Sequence, residues 1–260
     1  DIILCMKNYT YKSIVASVTA LTSFSAFAGA PPCDCPKTNG ASFATGSLEL
    51  SLSNNYTFRG QVLDTNPAFV PKLNVQLPIS ADVSAVLGVE QVVGTRGNGL
   101  FRTQYDIGLQ FALGKLTFTP GYQVVDFPNQ GGTNTQYVTG ILAYNDQGLL
   151  PVSLNPSVSV AKNVNPGGGL WYEARVAPEF AAGGVKFSVP VATGWSSNSY
   201  YVGAQNNLSY AYATAGLAGE YQLGKNVKLK ASVQGYTTDS KLSNRSNNFF
   251  TTNVGVAVFF

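Results

Sequence analysis

From Ser47 to the end, apolar and polar side chains alternate with a period of two. A strand sends successive side chains to opposite faces, so this period marks extended chain and not helix. In the last stretch Phe250, Thr252, Val254, Val256, Val258 and Phe260 share one face, and Asn253, Gly255, Ala257 and Phe259 the other. Between 101 and 113, Phe101, Tyr105, Ile107, Leu109, Phe111 and Leu113 oppose Arg102, Gln104, Asp106, Gly108, Gln110 and Ala112. Val227, Leu229, Ala231 and Val233 likewise oppose Lys228, Lys230, Ser232 and Gln234. Alternation and turn signals together predict about twelve strands. They cover 47–59, 67–79, 83–95, 101–113, 115–126, 135–145, 151–162, 169–180, 184–195, 208–222, 226–237 and 248–260.

The connections alternate in length. Short turns follow the even strands, at Ser80–Asp82, Gly114, Asp146–Leu149, Ala181–Gly183 and Leu223–Lys225. Longer polar loops follow the odd strands, around Thr65, at Arg96–Gly99, Asn129–Asn134 and Asn165–Gly169, and longest at 196–207 and 238–247. This order describes an all-β, up-and-down antiparallel barrel with its short turns at one end.

Alternation fits two architectures. A soluble sandwich or barrel turns its apolar face inward, and a transmembrane barrel turns it outward to lipid. Charged residues are 11% of the chain, against ~25–35% on a soluble surface. The strands are longer than the usual ~5–6 residues and match a tilted crossing of at least ~9–11. Aromatics recur near strand ends on the apolar face, at Tyr56, Phe58, Phe69, Tyr105, Phe118, Tyr122, Tyr172, Phe180, Trp195 and Phe260, where interfacial girdles are expected. The transmembrane barrel is the reading these features favour, and extraction without detergent would reveal the soluble one.

The first residues read as an address. Lys7 and Lys12 precede the apolar run from Ser13 to Phe27, and Ala26-Phe27-Ala28 ends it with small residues. That is the layout of a secretory signal peptide, and the apolar run is too short for a membrane helix. The expected organisation is upstream residues plus signal peptide at 1–28, a flexible periplasmic lead-in at 29–46, and the barrel at 47–260. Cys33 and Cys35 form a C-x-C in the lead-in. Metal binding normally takes four ligands, so no metal is implied. A bridge closing so small a ring would be strained.

The ending resembles the C-terminal signature of bacterial outer-membrane barrels, with Val256, Val258 and Phe260 alternating up to a terminal Phe. The resemblance implies recognition by the barrel-assembly machinery and residence among the lipids of a Gram-negative outer membrane. A narrower one lies at Leu52–Gly60, with the Tyr56-Thr57-Phe58-Arg59-Gly60 stretch and a Pro-x-Phe at Pro67–Phe69. It resembles the bacterial Gcw_chp family of small exported barrel-like proteins, whose activity is unassigned. Read bottom-up, Tyr56 and Phe58 are girdle residues, Arg59 points inward near the outer rim, and Gly60 opens the loop.

Any function then lies in the lumen. With the apolar face outward, parity turns Arg59, Lys72, Arg102, Arg175, Lys186, Lys228 and Lys230 inward, with Glu49, Glu90, Asp106, Glu173, Glu179 and Glu220. Arg59, Lys72, Glu90, Arg102, Asp106, Glu173 and Arg175 are the candidate pore lining. Turns centred on Ala182-Gly183 and on Gly224 would set Glu179 opposite Lys186 and Glu220 opposite Lys228. These four read either as salt bridges stiffening the wall or as a selectivity ring. Barrels of ~8 strands fill with side chains and those of 16–18 leave a channel, so twelve fits a narrow pore. The chain has no His, which excludes Ser-His and His-ligated metal chemistry. No G-x-S-x-G elbow is present. No enzyme and no cofactor is expected. A net charge of +3 is too small to argue for nucleic acid. The expectation is a passive, narrow channel for small polar solutes or ions. The alternative is a non-conducting structural or surface-binding barrel using loops 196–207 and 238–247, which carry Tyr200, Tyr201 and Arg245 beside Trp195.

Overall fold

The computed structural model describes residues 44–95, 99–128, 134–147, 152–165, 168–197, 208–239 and 247–260. The described strands are β1 (Thr45–Ser53), β2 (Tyr56–Phe58), β3 (Gln61–Asp64), β4 (Ala68–Pro78), β5 (Val83–Gly94), β6 (Gly99–Leu113), β7 (Leu116–Asp126) and β8 (Thr135–Tyr144). They continue with β9 (Ser157–Asn163), β10 (Leu170–Val176), β11 (Glu179–Ala182), β12 (Val185–Ser188), β13 (Val191–Ser197), β14 (Leu208–Gly224), β15 (Val227–Thr238) and β16 (Asn248–Phe259). Pro178 separates β10 from β11 and Pro190 separates β12 from β13, because proline cannot donate to the ladder. Each pair is one interrupted crossing. β1 pairs with both β4 and β16, and β14 with both β13 and β15. The result is a closed, twelve-stranded antiparallel barrel. Its seam is tied by Gly46 N donating to Phe260 O at 2.8 Å and Phe260 N to Gly46 O at 3.1 Å.

Burial follows the parity of the sequence. Leu48, Leu50, Leu52, Tyr105, Ile107, Leu109, Val254, Val256, Val258 and Phe260 are exposed on the outer wall. Ser51, Ser53, Glu90, Arg102, Gln104, Gln110, Gln123, Thr214, Lys230 and Gln234 are buried inside. This is the reverse of a water-soluble barrel, where large apolar side chains fill the interior. Phe69, Tyr105, Phe118, Phe180 and Phe260 remain exposed.

Three local features differ from the sequence expectation. The first strand ends at Ser53, not at 59. Asn54 and Asn55 peel the chain off the wall: Asn54 N donates to Thr252 O at 3.1 Å, Thr252 N to Asn54 Oδ1 at 2.8 Å, and Asn55 Nδ2 to Phe250 O at 2.8 Å. The chain then folds back as a separate hairpin, β2–β3, that pairs only with itself. Arg59 (φ 49°) and Gly60 (φ 80°) make its turn. Positive φ at both centres is the geometry whose twist suits a two-residue hairpin.

The seventh crossing is the second difference. β9 starts at Ser157, because the buried Asp146 captures the segment before it. Its carboxylate accepts from Ser153 Oγ at 2.6 Å, Leu154 N at 2.7 Å and Asn155 N at 3.0 Å. Burial works against the charged carboxylate, yet these hydrogen bonds, led by Ser153, outweigh it and hold the group below its ordinary range.

Third, two turns are displaced. The β11–β12 turn sits at Gly183-Gly184 (φ 58° and 78°), which pairs Ala181 with Lys186 and Glu179 with Ser188. Across β14–β15, Glu220 faces Lys230 and Gln222 faces Lys228. The acid–base partners are therefore diagonal neighbours instead of directly opposed ones.

Candidate functional site

The lumen at the long-loop end is occupied by the β2–β3 hairpin. Tyr56 and Phe58 are 4% and 6% exposed, so they belong to the interior and not to an aromatic girdle. Gly60 does not open a loop. It lies at the hairpin tip against the far wall, where a Cβ would stand 2.3 Å from the Tyr212 ring. Arg59 points inward as expected, but it is carried there by the hairpin and is 2% exposed. Its guanidinium lies over the rings of Phe58, Tyr137 and Trp171, at 4.8, 4.5 and 4.6 Å. These rings come from the hairpin, β8 and β10, so the tip crosses the lumen. Cation–π contacts of this kind strengthen when water is excluded.

Most of the candidate pore lining meets in one network. Arg59 Nη2 donates to Gln123 Oε1 at 3.0 Å, and Gln123 Nε2 to Asp106 Oδ1 at 2.8 Å. Gln104 Nε2 donates to the other Asp106 oxygen at 2.7 Å. Arg102 donates to Gln104 Oε1, to the Tyr56 hydroxyl, and to Glu90 Oε1 at 2.7 Å. Lys72 Nζ stands 3.8 Å from the second Glu90 oxygen. Five elements, from β4 to β7 with the hairpin, are thereby joined side chain to side chain. Glu173 accepts from the Tyr212 hydroxyl, and Arg175 occupies the next inward position on β10.

Gln104 and Gln123 are central to this network, and sequence reasoning passed over them as neutral lining. Their signal was parity: both lie on the inward face of long strands, and Gln104 stands between Arg102 and Asp106. Alternation places Phe101 on the outward face. A register shift at Val92/Val93 displaces it, and it packs edge-on against Tyr56 at 6.2 Å.

The short-turn half of the lumen is different. Glu179 and Lys186 pair at 3.0 Å, Glu220 and Lys228 at 3.0 Å, and Glu49 and Lys230 at 2.6 Å. These pairs line the sector from β11 round to β1. The facing sector carries uncharged groups, among them Gln76, whose amide donates to Gln110 at 3.0 Å, and Ser84, Thr117 and Ser159. The side chains of Lys186, Glu49 and Lys228 retain solvent contact at 35%, 20% and 18%. No group of three or more metal-ligating side chains occurs among the described residues. Cys33, Cys35, the signal segment, Tyr200, Tyr201 and Arg245 lie outside the described residues.

An apolar outer wall, a closed antiparallel ladder and a polar interior define the fold of bacterial outer-membrane barrels. Solved structures agree. An outer-membrane channel from Pseudomonas putida F1 matches with a TM-score of 0.54 at 10% identity, over 86% of this chain and 97% of that one. The NanC porin matches with a TM-score of 0.52 at 11% identity, over 82% and 98%. LpxR from Salmonella typhimurium matches with a TM-score of 0.51 at 11% identity, over 82% and 100%. At these identities the likeness is one of fold. The sequence matches no protein-family model and no curated protein, so the Gcw_chp resemblance rests on the Leu52–Gly60 and Pro67–Phe69 residues alone.

Proposed function

We propose that this protein is an outer-membrane channel for small polar solutes or ions, narrowed on its outer side by the β2–β3 hairpin. The observation that carries this reading is the half-lumen at the short-turn end, where Lys186, Glu49 and Lys228 keep contact with solvent inside an apolar wall. By the usual orientation this end faces the periplasm. Seven inward basic residues against six acidic ones argue for weak ion selectivity. Phe260, Val258 and Val256 would present the assembly machinery with the closing strand, and the outer wall would meet outer-membrane lipid. Reconstitution of the refolded chain in a planar bilayer tests the reading. Discrete conductance steps with a cation-to-anion permeability ratio near one are expected, and a membrane that stays tight at high protein would refute it. The packed outer half favours a second reading, a non-conducting barrel that binds a partner through loops 196–207 and 238–247. It predicts that tight membrane, with binding lost when those loops are exchanged.

A further inference from the structure

We propose that the β2–β3 hairpin is a displaceable plug that gates the lumen. This rests on the channel reading above and goes beyond it, because it assigns opening and closing to one element. Three observations carry it.

First, the hairpin forms its own two-stranded sheet and shares no ladder with the wall. Ring contacts and side-chain hydrogen bonds hold it in the lumen, and these can be exchanged for water without breaking the barrel. Second, both its feet are fixed to the rim. Asn55 Nδ2 donates to Phe250 O at 2.8 Å on one side, and Thr95 Oγ1 to Pro67 O at 2.7 Å on the other. The segment between is therefore a flap with two anchored ends. Third, insertion is imperfectly satisfied. Thr57 Oγ1, Thr139 Oγ1 and Trp171 Nε1 are buried with no hydrogen-bond partner among the described residues. Withdrawal of the hairpin would hydrate them, whereas insertion buries Tyr56 and Phe58 and dehydrates the Arg59 contacts. The two positions thus have opposing advantages.

The test is single-channel recording on the full refolded barrel, with folding checked by heat-modifiable gel mobility. Three proteins are compared: the wild type, a variant with 57–63 replaced by a short Gly/Ser linker, and Gly60→Cys/Tyr212→Cys. A Cβ at position 60 would lie 2.9 Å from the Tyr212 Cβ, so the tip has to draw back slightly to reach the ~3.5–4.5 Å span of a disulfide. The wild type should flicker between closed and open levels. The linker variant should stay open, with steps larger by roughly threefold or more, since only side chains then occupy the lumen. The cysteine pair should be silent when oxidised and recover its flicker when reduced. Equal, steady conductance in wild type and linker variant would overturn the plug and leave the channel reading standing. Silence of the folded linker variant would overturn both.

Discussion

Replacing Ile107 with Arg distinguishes a lipid-facing wall from a water-facing one. Ile107 is 57% exposed near the middle of β6, and its ladder neighbours are Leu87 and Tyr122. At the midplane of a bilayer an Arg on this face costs about 2–4 kcal/mol. On a surface in water the same change stays within about 0.5 kcal/mol. The strand carries its own control in Leu113, which is 63% exposed at the short-turn end. At ~3.4 Å per residue and a tilt of ~40°, the two positions differ in height by about 15 Å. That exceeds half of an apolar band ~25 Å tall, so Leu113→Arg should cost only about 0–1 kcal/mol. Reversible guanidinium unfolding from lipid vesicles, followed by the fluorescence of Trp171 and Trp195, measures both. Equal costs at the two sites, or no cost at Ile107, would refute a membrane wall centred on this part of β6.

Three further outcomes follow from the interior and the turns. Glu90→Leu removes the carboxylate from Arg102, whose side chain is 0% exposed, and should cost about 3–5 kcal/mol; Lys186→Ala, at the wetter pair with Glu179, should stay within about 1 kcal/mol by the same unfolding assay. Gly216→Ala should destabilise by about 1–3 kcal/mol, because a Cβ there meets the Val233 carbonyl at 2.5 Å. The Asp146 carboxyl titrates lower in the folded chain than its ordinary value of 3.8, so its contribution is full above that value and is lost as pH falls through the lower folded one. Amide exchange at Leu154 and Asn155 should therefore stay slow at pH 5 and accelerate only below the ordinary carboxylate range; in Asp146→Asn, acceleration already present at pH 5 is the expected contrast.

The wall was legible residue by residue. Alternation is a local property of extended backbone, so the side of the sheet taken by Leu50 or Glu90 follows from parity and needs no partner strand. Prolines 178 and 190 interrupt strands without changing that parity, and the eighth and ninth crossings were still recognisable. Register was less accessible. Moving a turn by one residue, from Ala182-Gly183 to Gly183-Gly184, shifts every cross-strand pair by two and makes Glu179–Lys186 a diagonal contact; a register shift between Gln222 and Gly224 does the same to Glu220–Lys228.

The fate of Tyr56, Phe58 and Arg59 could not be read locally. Alternating apolar and polar residues continue through them, so period alone extends the first strand. Whether the chain climbs the wall or folds inward depends on the width of a lumen that exists only after twelve strands have closed. It depends also on rings from Tyr137, Trp171 and Tyr212, which are far away along the chain. Sequence settles which side of a strand each residue occupies, because backbone geometry enforces it at short range. Closure settles what fills the interior, because only closure brings the facing walls within reach of one another.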